Sequence, residues 1–126
     1  MSVKIIVDST ADLAQELKNR VHTVPMTVTF GDEEFIDGVT IDHKTFYEKL
    51  IESDVLPKTS QATPDAFAKE FEKAKEAGEA SVVLTISSKL SGTYQSACIA
   101  AEDFEGKVFV VDSMSATIGG RLLLQY

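Results

Sequence analysis

Apolar residues fall into two kinds of pattern along the chain. Continuous aliphatic runs, which are typical of strands buried on both faces, occur at three places: Val3–Val7, Ser81–Ile86 and Val108–Val111. From Val24 to Phe30 apolar and polar residues alternate instead, which predicts a half-buried strand. Gly31-Asp32 then favours a turn into a second short strand, so a β-hairpin is expected over residues 24–36.

The segments between these strands have helical periodicity and recognisable helix ends. Asp42 is placed to cap a helix whose apolar residues share one face. Thr63-Pro64 is an N-cap followed by proline in the first turn, and Gly78 suits the end of that helix. Further helices are expected over Ala11–Leu17, from about Tyr94 to Asp103 and from Gly119 onward.

This alternation of strands and helices predicts an α/β domain. Its sheet is expected to be largely parallel, with helices on both faces. The hairpin is expected to add antiparallel pairing at an edge of that sheet.

Composition narrows the classes of function. The 126 residues, 44% of them hydrophobic, suit one globular domain, and a net charge of −8 would repel a phosphate backbone, so no nucleic-acid partner is expected. Cys98 is the only cysteine, which excludes an internal disulfide and a multi-cysteine metal site. The apolar runs are too short for a signal-peptide core or a membrane span of ~18 residues. We therefore expect a cytoplasmic protein with no stable membrane insertion.

The negative charge is concentrated in residues 31–54. This segment has eight acidic and two basic residues, which give it a net charge of −6. A solvated acidic face and a docking surface for a basic partner protein both fit this pattern.

Three of the predicted strands end in hydroxyl-rich turns that precede helices. The carboxyl ends of parallel strands share one edge of the sheet, where α/β proteins bind ligands. Asp8-Ser9-Thr10 and Asp112-Ser113 fit the role of helix caps. Residues 87–93 contain four hydroxyl side chains and Gly92, more than a cap needs, so this turn is a candidate site for a carboxylate or a phosphate. A second cluster of donors, Thr59-Ser60-Gln61, is expected on a loop.

Several catalytic motifs are absent from the sequence. It has no dinucleotide-binding motif, no P-loop and no G-x-S-x-G elbow, and we expect no cofactor. His22 and His43 are interpreted as surface residues that lie away from the serines of the sheet edge. Asp8 and Asp112 leave open an alternative, a Mg²⁺-dependent phosphatase or phosphotransferase. Thr10 stands where an aspartyl-nucleophile phosphatase would need its second acid, which argues against that alternative.

Six short motifs resemble, in order and at similar spacings, those of the DegV family. They are Asp8-Ser9-Thr10-Ala11-Asp12-Leu13, Val24-Pro25-Met26 with Val28 and Phe30, Asp37-Gly38, Thr59-Ser60-Gln61, Leu90-Ser91-Gly92-Thr93-Tyr94-Gln95-Ser96-Ala97 and Val111-Asp112-Ser113. The resemblance implies a DegV-like N-terminal α/β domain over residues 1–126, with the family's C-terminal domain absent from this chain. The sequence also stops at Tyr126, inside an apolar helical pattern, so we expect a fragment of a longer protein.

The resemblance further implies a non-catalytic, fatty-acid-binding subunit of a bacterial fatty acid kinase. In that family a long-chain fatty acid lies between the two domains with its carboxylate held by hydroxyl groups, and a separate ATP-dependent kinase converts the carboxylate to an acyl phosphate. The carboxylate-holding residues correspond here to Thr59 and Ser91. Additional ligand contacts are expected from neighbouring turns, at Ser60, Gly92, Thr93, Ser9 and Ser113.

The same resemblance limits what this chain can do alone. The His and Arg that complete the family's polar network belong to the second domain, so at most half of a site is present here. Met26, Ile86 and Met114 are candidates for contact with the acyl chain. Without the second domain apolar surface would be exposed, so self-association of the fragment is a further expectation. No residue is expected to be catalytic or to bind a metal.

Overall fold

The computed structural model describes residues 2–126. Seven strands of this part form two separate sheets: β1 (Val3–Asp8), β2 (His22–Val24), β3 (Thr27–Phe30), β4 (Glu33–Ile36), β5 (Lys58–Ser60), β6 (Ala80–Thr85) and β7 (Val108–Asp112). The α-helices of the same part are α1 (Gln15–Lys18), α2 (His43–Glu52), α3 (Pro64–Glu76), α4 (Thr93–Ala101) and α5 (Ile118–Gln125). Short 3₁₀ turns lie at Ser9–Ala11 and Glu102–Phe104.

The first sheet, sheet A, has its strands in the order β2-β1-β6-β7, and all of its pairs are parallel. The register aligns Ile6 with Val83 and Val83 with Val110. The predicted α/β class and the parallel sheet are therefore confirmed. Parallel pairing brings the turns that follow β1, β6 and β7 to one edge of the sheet, which we call the carboxyl edge.

The main core lies between one face of sheet A and helices α3 and α4. Phe67 and Phe71 of α3 are buried in one cluster with Ile6 and Val83 of the strands. Helix α5 covers one end of the opposite face, where Leu124 packs in a cluster around Val7. The rest of that face presents exposed apolar side chains, namely Val3, Ile5, Phe109 and Val111.

The second sheet, sheet B, is antiparallel and has the order β4-β3-β5. Gly31, with a left-handed φ of 60°, turns β3 into β4 and completes the predicted hairpin, which is confirmed. Val28, Phe30 and Ile41 form a small core, against which Phe35 and Phe46 pack. We call the segment that runs through β3, β4, α2 and β5, residues 27–60, the arm.

The hairpin region differs from the sequence prediction in one important respect. Val24–Phe30 forms two strands rather than one, because the chain passes from sheet A to sheet B at Pro25-Met26. Pro25 has no backbone N–H to donate, so the pairing of β2 with β1 ends at Val24. The hairpin therefore belongs to its own sheet and does not extend an edge of sheet A.

Two further segments also differ from prediction. Ala11–Leu17 is not one helix, because a 3₁₀ turn ends at Ala11, Asp12 has a left-handed φ of 46°, and α1 has only four residues. Thr59-Ser60-Gln61 is not simply a loop, because Lys58–Ser60 pairs with β3 as strand β5. A strand of three polar residues has no hydrophobic pattern, so its formation depends on the free edge of β3.

The predicted N-caps of α2 and α3, and the predicted end of α3, are confirmed. The side chains of Asp42 and Thr63 each accept a hydrogen bond from the backbone N–H three residues later, in the first turns of α2 and α3. Gly78 follows α3 with a φ of 72°. The apolar stripe of α2 is only partly covered, since Tyr47 and Ile51 are exposed. Within residues 2–126, none of the helices combines the length and the hydropathy that a bilayer crossing requires.

A partly buried ion pair ties β1 to α3. Lys4 Nζ lies 2.7 Å from Glu70 Oε2 and also donates to the Glu70 carbonyl oxygen at 3.2 Å. Partial burial opposes ionisation of Glu70, but hydrogen bonds from Lys4 and Lys73 outweigh it and hold the pKa of Glu70 below its usual range. This buried lysine is therefore satisfied within the fold and does not face the carboxyl edge.

Candidate functional site

A cavity of about 330 Å³ lies where the carboxyl edge of sheet A meets the arm. Its sheet A wall includes Ile86 and Ser91, and its arm wall includes Val28 and Thr59. The other lining residues are Thr10, Met26, Asp37, Gln61, Leu90 and Gly92. The two residues that the family resemblance assigns to a ligand carboxylate, Thr59 and Ser91, thus line one cavity.

Ser91 lies in the turn before α4, and its hydroxyl is held by Thr93. The two hydroxyl oxygens are 3.0 Å apart, and the N–H of Thr93 donates to Ser91 Oγ at 3.2 Å. Thr93 is fully buried, so its own hydroxyl is not available to solvent. A hydroxyl accepts two hydrogen bonds and donates one. When the N–H and the hydroxyl of Thr93 both donate to Ser91 Oγ, the hydroxyl hydrogen of Ser91 remains free to donate to a group in the cavity.

Thr59 lies in the middle of β5, directly opposite Val28 of β3. Opposed residues of antiparallel strands point to the same face, and both of these residues line the cavity. The arm wall therefore presents a hydroxyl beside an apolar side chain. Ser60 is exposed, opposes Thr27, and points to the other face of sheet B.

Ser9 and Ser113 lie outside the lining of this cavity, and their hydroxyl groups make hydrogen bonds within the protein. Ser9 Oγ accepts a hydrogen bond from the N–H of Met26 at 3.0 Å, and so it holds a residue that does line the cavity. The Ser113 hydroxyl donates a hydrogen bond to the carbonyl oxygen of Ser115 and accepts one from the N–H of Ser115, each at 3.1 Å. Of the apolar candidates, Met26 and Ile86 line the cavity, whereas Met114 is 58% exposed and does not.

The sequence can now be placed among known proteins. Residues 2–125 match the profile of a family described as "Uncharacterised protein, DegV family". The chain belongs to the DegV family. A DegV domain-containing protein of Clostridium perfringens is 38% identical over 125 residues, which cover 97% of this chain and 45% of that relative. The chain thus spans somewhat less than half the length of such curated relatives.

Solved structures of DegV proteins have the same fold as this chain. A DegV family protein from Thermus thermophilus, described for its fatty acid binding, has a TM-score of 0.90 and 37% identity, and the match covers 99% of this chain and 45% of that one. The Fatty Acid Kinase (Fak) B3 protein of Streptococcus pneumoniae, solved with linoleic acid, has a TM-score of 0.82 and 30% identity, with 99% and 46% covered. The family resemblance found in the sequence is confirmed.

In this DegV chain the buried carboxylate of Asp8 joins the ends of two strands. Asp8 is 2% exposed, and its Oδ1 accepts hydrogen bonds from both the N–H and the hydroxyl of Thr10. Its Oδ2 accepts the N–H of Ile86 at 2.6 Å. Asp8 therefore caps the 3₁₀ turn, as predicted, and also fixes two residues that line the cavity.

Asp112 has a similar role at the end of β7. Its carboxylate accepts the N–H groups of Ser88 and Met114, the latter at 2.9 Å. Hydrogen bonding from the Ser88 side chain first, and then from the Met114 N–H, holds the pKa of Asp112 below its usual range. The prediction of a helix cap at Asp112-Ser113 is wrong, because Thr117 precedes α5 and these residues close the turn before it.

The alternative function would need both of these carboxylates for a metal ion. Each is already committed to hydrogen bonds within its own loops. Among residues 2–126, no three or more His, Cys, Asp or Glu side chains are grouped so that they could hold a metal ion. No observation in the described part of the chain favours the phosphatase alternative over ligand binding in the cavity.

A second cavity, of about 370 Å³, is lined in part by β2 and by the turn after β1. Ser9, Asp12 and both histidines help to line it, and His43 Nε2 lies 3.4 Å from Asp12 Oδ1. The side chains of His22 and His43 are 57% and 75% exposed, which confirms them as surface residues. The prediction that they lie away from the serines of the carboxyl edge is wrong, since Ser9 lines this cavity with them.

Three polar residues of the first cavity, Thr10, Asp37 and Gln61, were not assigned to the site from the sequence. Thr10 and Gln61 belong to clusters of donors that the sequence reveals, but their direction is set by the packing of the arm against sheet A. Asp37 is the one charged side chain in the cavity lining, and its N–H donates to the carbonyl of Met26 at 2.9 Å. The signal available for it was an acidic residue beside a turn glycine, Gly38.

Proposed function

We propose that this DegV chain binds the carboxylate end of a long-chain fatty acid and presents it to a separate, ATP-dependent kinase. The chain itself is not the catalyst of that reaction. The observation that carries the proposal is the lining of a single cavity by Thr59 and Ser91, with apolar side chains beside them. The ligand class is supported by the fatty acid binding named for the Thermus thermophilus protein, and the kinase by the name of the Streptococcus pneumoniae protein.

The two ends of the ligand have different energetic roles. Each buried methylene contributes about 0.8 kcal/mol, and a hydrogen bond from a neutral donor to a carboxylate about 1.5–3 kcal/mol. A long acyl chain therefore dominates the affinity, and the two hydroxyl groups decide where the carboxylate points. In this arrangement Met26, Ile86 and Leu90 contact the methylenes nearest the carboxylate.

Among the described residues that line the cavity, Asp37 is the one charged residue, and its charge is negative. The groups that stabilise the negative head group are therefore neutral hydrogen-bond donors. Thr93 orients the Ser91 hydroxyl toward the ligand, and Gly92 precedes the first turn of α4. The backbone dipole of that helix favours an anion at its N-terminal end. The site thus holds a singly charged carboxylate better than a phosphate, whose additional charge would be opposed by Asp37.

We also propose that the remaining length of the full-sized relatives contributes the other side of the site. This chain would then act as an N-terminal domain that holds the head group, and the second part would enclose the acyl chain. The kinase step consumes ATP, so we propose a cytoplasmic location for the complex.

Titration of the ¹⁵N-labelled chain with sodium octanoate and, separately, with 1-octanol tests the ligand assignment. Octanoate should shift the amide resonances of Thr59, Ser91 and Gly92, and octanol, which lacks the acid group, should shift them less. The double variant Thr59→Val, Ser91→Ala should remove this difference. Ser88→Ala, which deletes an exposed hydroxyl of the same turn outside the cavity lining, should retain it. No response of the three amides to millimolar octanoate would contradict the proposal.

An assay of phosphoryl transfer by a fatty acid kinase distinguishes binding of the ligand from its presentation to the kinase. Ser91→Ala should lower acyl phosphate formation about tenfold, whereas binding of a long-chain acid should fall little because the chain supplies most of the affinity. Ser88→Ala is again the matched control. Equal transfer rates from Ser91→Ala and the parent protein would remove Ser91 from this role.

A further inference from the structure

A single hydrogen bond joins the two segments that carry Thr59 and Ser91. Gln61 directly follows β5, and its Nε2 donates to Ser96 Oγ at 3.1 Å. Within the described part of the chain, no other hydrogen bond links residues 58–62 with residues 87–96. This contact therefore connects the arm wall of the cavity to the first turn of α4.

The contact depends on the absence of a side chain at Gly92. A Cβ atom at this position would lie 1.9 Å from Gln61 Oε1 and 2.7 Å from Gln61 Cδ. The φ of Gly92 is −76°, a value that any residue adopts, so the backbone conformation does not require glycine here. The close approach of the Gln61 amide is what requires it.

Ser96 provides a fixed anchor for this amide. It is 1% exposed, lies outside the cavity lining, and its N–H donates to the Gly92 carbonyl at 3.0 Å in the first turn of α4. The next residue, Ala97, is fully buried in the main core. The anchor is thus adjacent to a residue of the main core, whereas Gln61 directly follows the end of the arm.

We propose that Gln61 is a positioning residue for the carboxylate, an inference that rests on the fatty acid binding proposed above. Its hydrogen bond to Ser96 and its contact with Gly92 set the separation between the hydroxyl groups of Thr59 and Ser91. A ligand with an acid group benefits from that separation because both hydroxyls reach it. An alcohol of the same chain length gains little, because it accepts fewer and weaker hydrogen bonds.

The measurement is the ratio of the 1-octanol and octanoate dissociation constants, obtained by NMR titration of this chain. Gln61→Ala and Ser96→Ala should each lower this preference for the acid about tenfold, while the affinity for octanol changes less than about twofold. Ser96→Ala is informative because Ser96 does not line the cavity and acts on the ligand only through Gln61. Gln95→Ala removes an exposed glutamine from the same helix and should keep the parent ratio.

A double-mutant cycle tests the role of Gly92. Gly92→Ala should reduce the preference as much as Gln61→Ala does, because the new methyl group displaces the same amide. The double variant should lose no more of the preference for octanoate than Gln61→Ala alone does. A double variant whose loss equals the product of the two single losses would contradict a shared mechanism.

The outcomes separate this inference from the proposed function. A parent chain with no preference for octanoate over octanol would overturn the proposed function itself. A parent with that preference, retained in both Gln61→Ala and Ser96→Ala, would overturn only the positioning role. An equal loss of affinity for both ligands would also overturn it, because that result indicates general disruption of the cavity.

Discussion

Sheet A and the arm form opposite walls of one cavity but are stabilised to very different extents. Sheet A is backed by a continuous core in which Phe67 and Phe71 are at most 1% exposed. The arm relies on a small core of its own, and α2 contributes no fully buried side chain to it. The wall that carries Ser91 is therefore firm, and the wall that carries Thr59 is weakly supported.

The geometry of the candidate site therefore depends on the more weakly supported of the two regions. Local opening of a protein requires less free energy where few apolar contacts are buried. The arm should open on its own, well below the free energy of global unfolding, and the hydrogen bond from Gln61 opposes that motion at its end.

The largest effect is expected from Phe71→Ala in the main core. Removal of this fully buried ring should lower the free energy of unfolding by about 3–5 kcal/mol, measured by urea denaturation. Phe109→Ala is the matched control, because Phe109 is 56% exposed on the uncovered face of sheet A and should cost about 0.5 kcal/mol or less. Equal losses in the two variants would show that α3 does not form the main core.

A smaller and more local effect is expected from Phe30→Ala in the arm. The Phe30 ring lies 5.7 Å from that of Phe46, and its loss should destabilise the arm by about 3 kcal/mol. Native-state hydrogen exchange should then quicken about a hundredfold for arm amides, while the amides of β1 and β6 keep their rates. Tyr47→Ala, at a side chain 60% exposed on α2, should leave both sets unchanged. Equal acceleration in both sheets would mean that they unfold as one unit.

The smallest effect is expected from acid at the start of α2. The N–H of Thr45, aided by its hydroxyl and by Lys44, lowers the pKa of Asp42. A carboxyl whose folded pKa lies below its unfolded value, about 3.9, stabilises the fold above that pH and loses this contribution as pH falls through the folded pKa. Acidification should therefore weaken the cap of α2 but not the cap of α3, because the hydroxyl of Thr63 does not titrate.

The amide shifts of Thr45 and Ala66 between pH 5 and pH 2 measure this difference, because each amide donates to its helix cap. Asp42→Asn keeps a good cap without the titration, so the pH dependence of Thr45 should vanish in that variant. Persistence of the dependence in Asp42→Asn would assign it to another group.

Local sequence patterns were enough to predict strands β1, β6 and β7 of sheet A and the ends of α3. The strands at Val3–Asp8 and Ala80–Thr85 are aliphatic runs, and Thr63-Pro64 and Gly78 delimit α3 by local hydrogen bonding and backbone conformation. These signals act within a few residues of one another. Tertiary packing therefore changed only the exact bounds of these strands and of α3.

The arm could not be predicted to the same degree. Strand β5 has no apolar residue, and its pairing with β3 joins positions about thirty residues apart, such as Val28 and Thr59. The contact of Gln61 with Ser96 spans 35 residues and depends on the packing of both sheets. The hydroxyl groups of residues 87–93 indicated a candidate anion site, but only the family resemblance paired Thr59 with Ser91, because no local rule brings them together.

The register of β5 against β3 has a consequence for how much change the arm tolerates. Thr59 faces the cavity because it stands opposite Val28, and neighbouring strand residues alternate between faces. Deleting one residue from the connection over residues 53–57 would slide this strand by one step and swap its two faces. The ammonium of Lys58 or the side chain of Ser60 would then replace the threonine hydroxyl. Evolutionary changes in the length of this connection should accordingly come in twos, or be absorbed by a bulge, in proteins that keep the pocket.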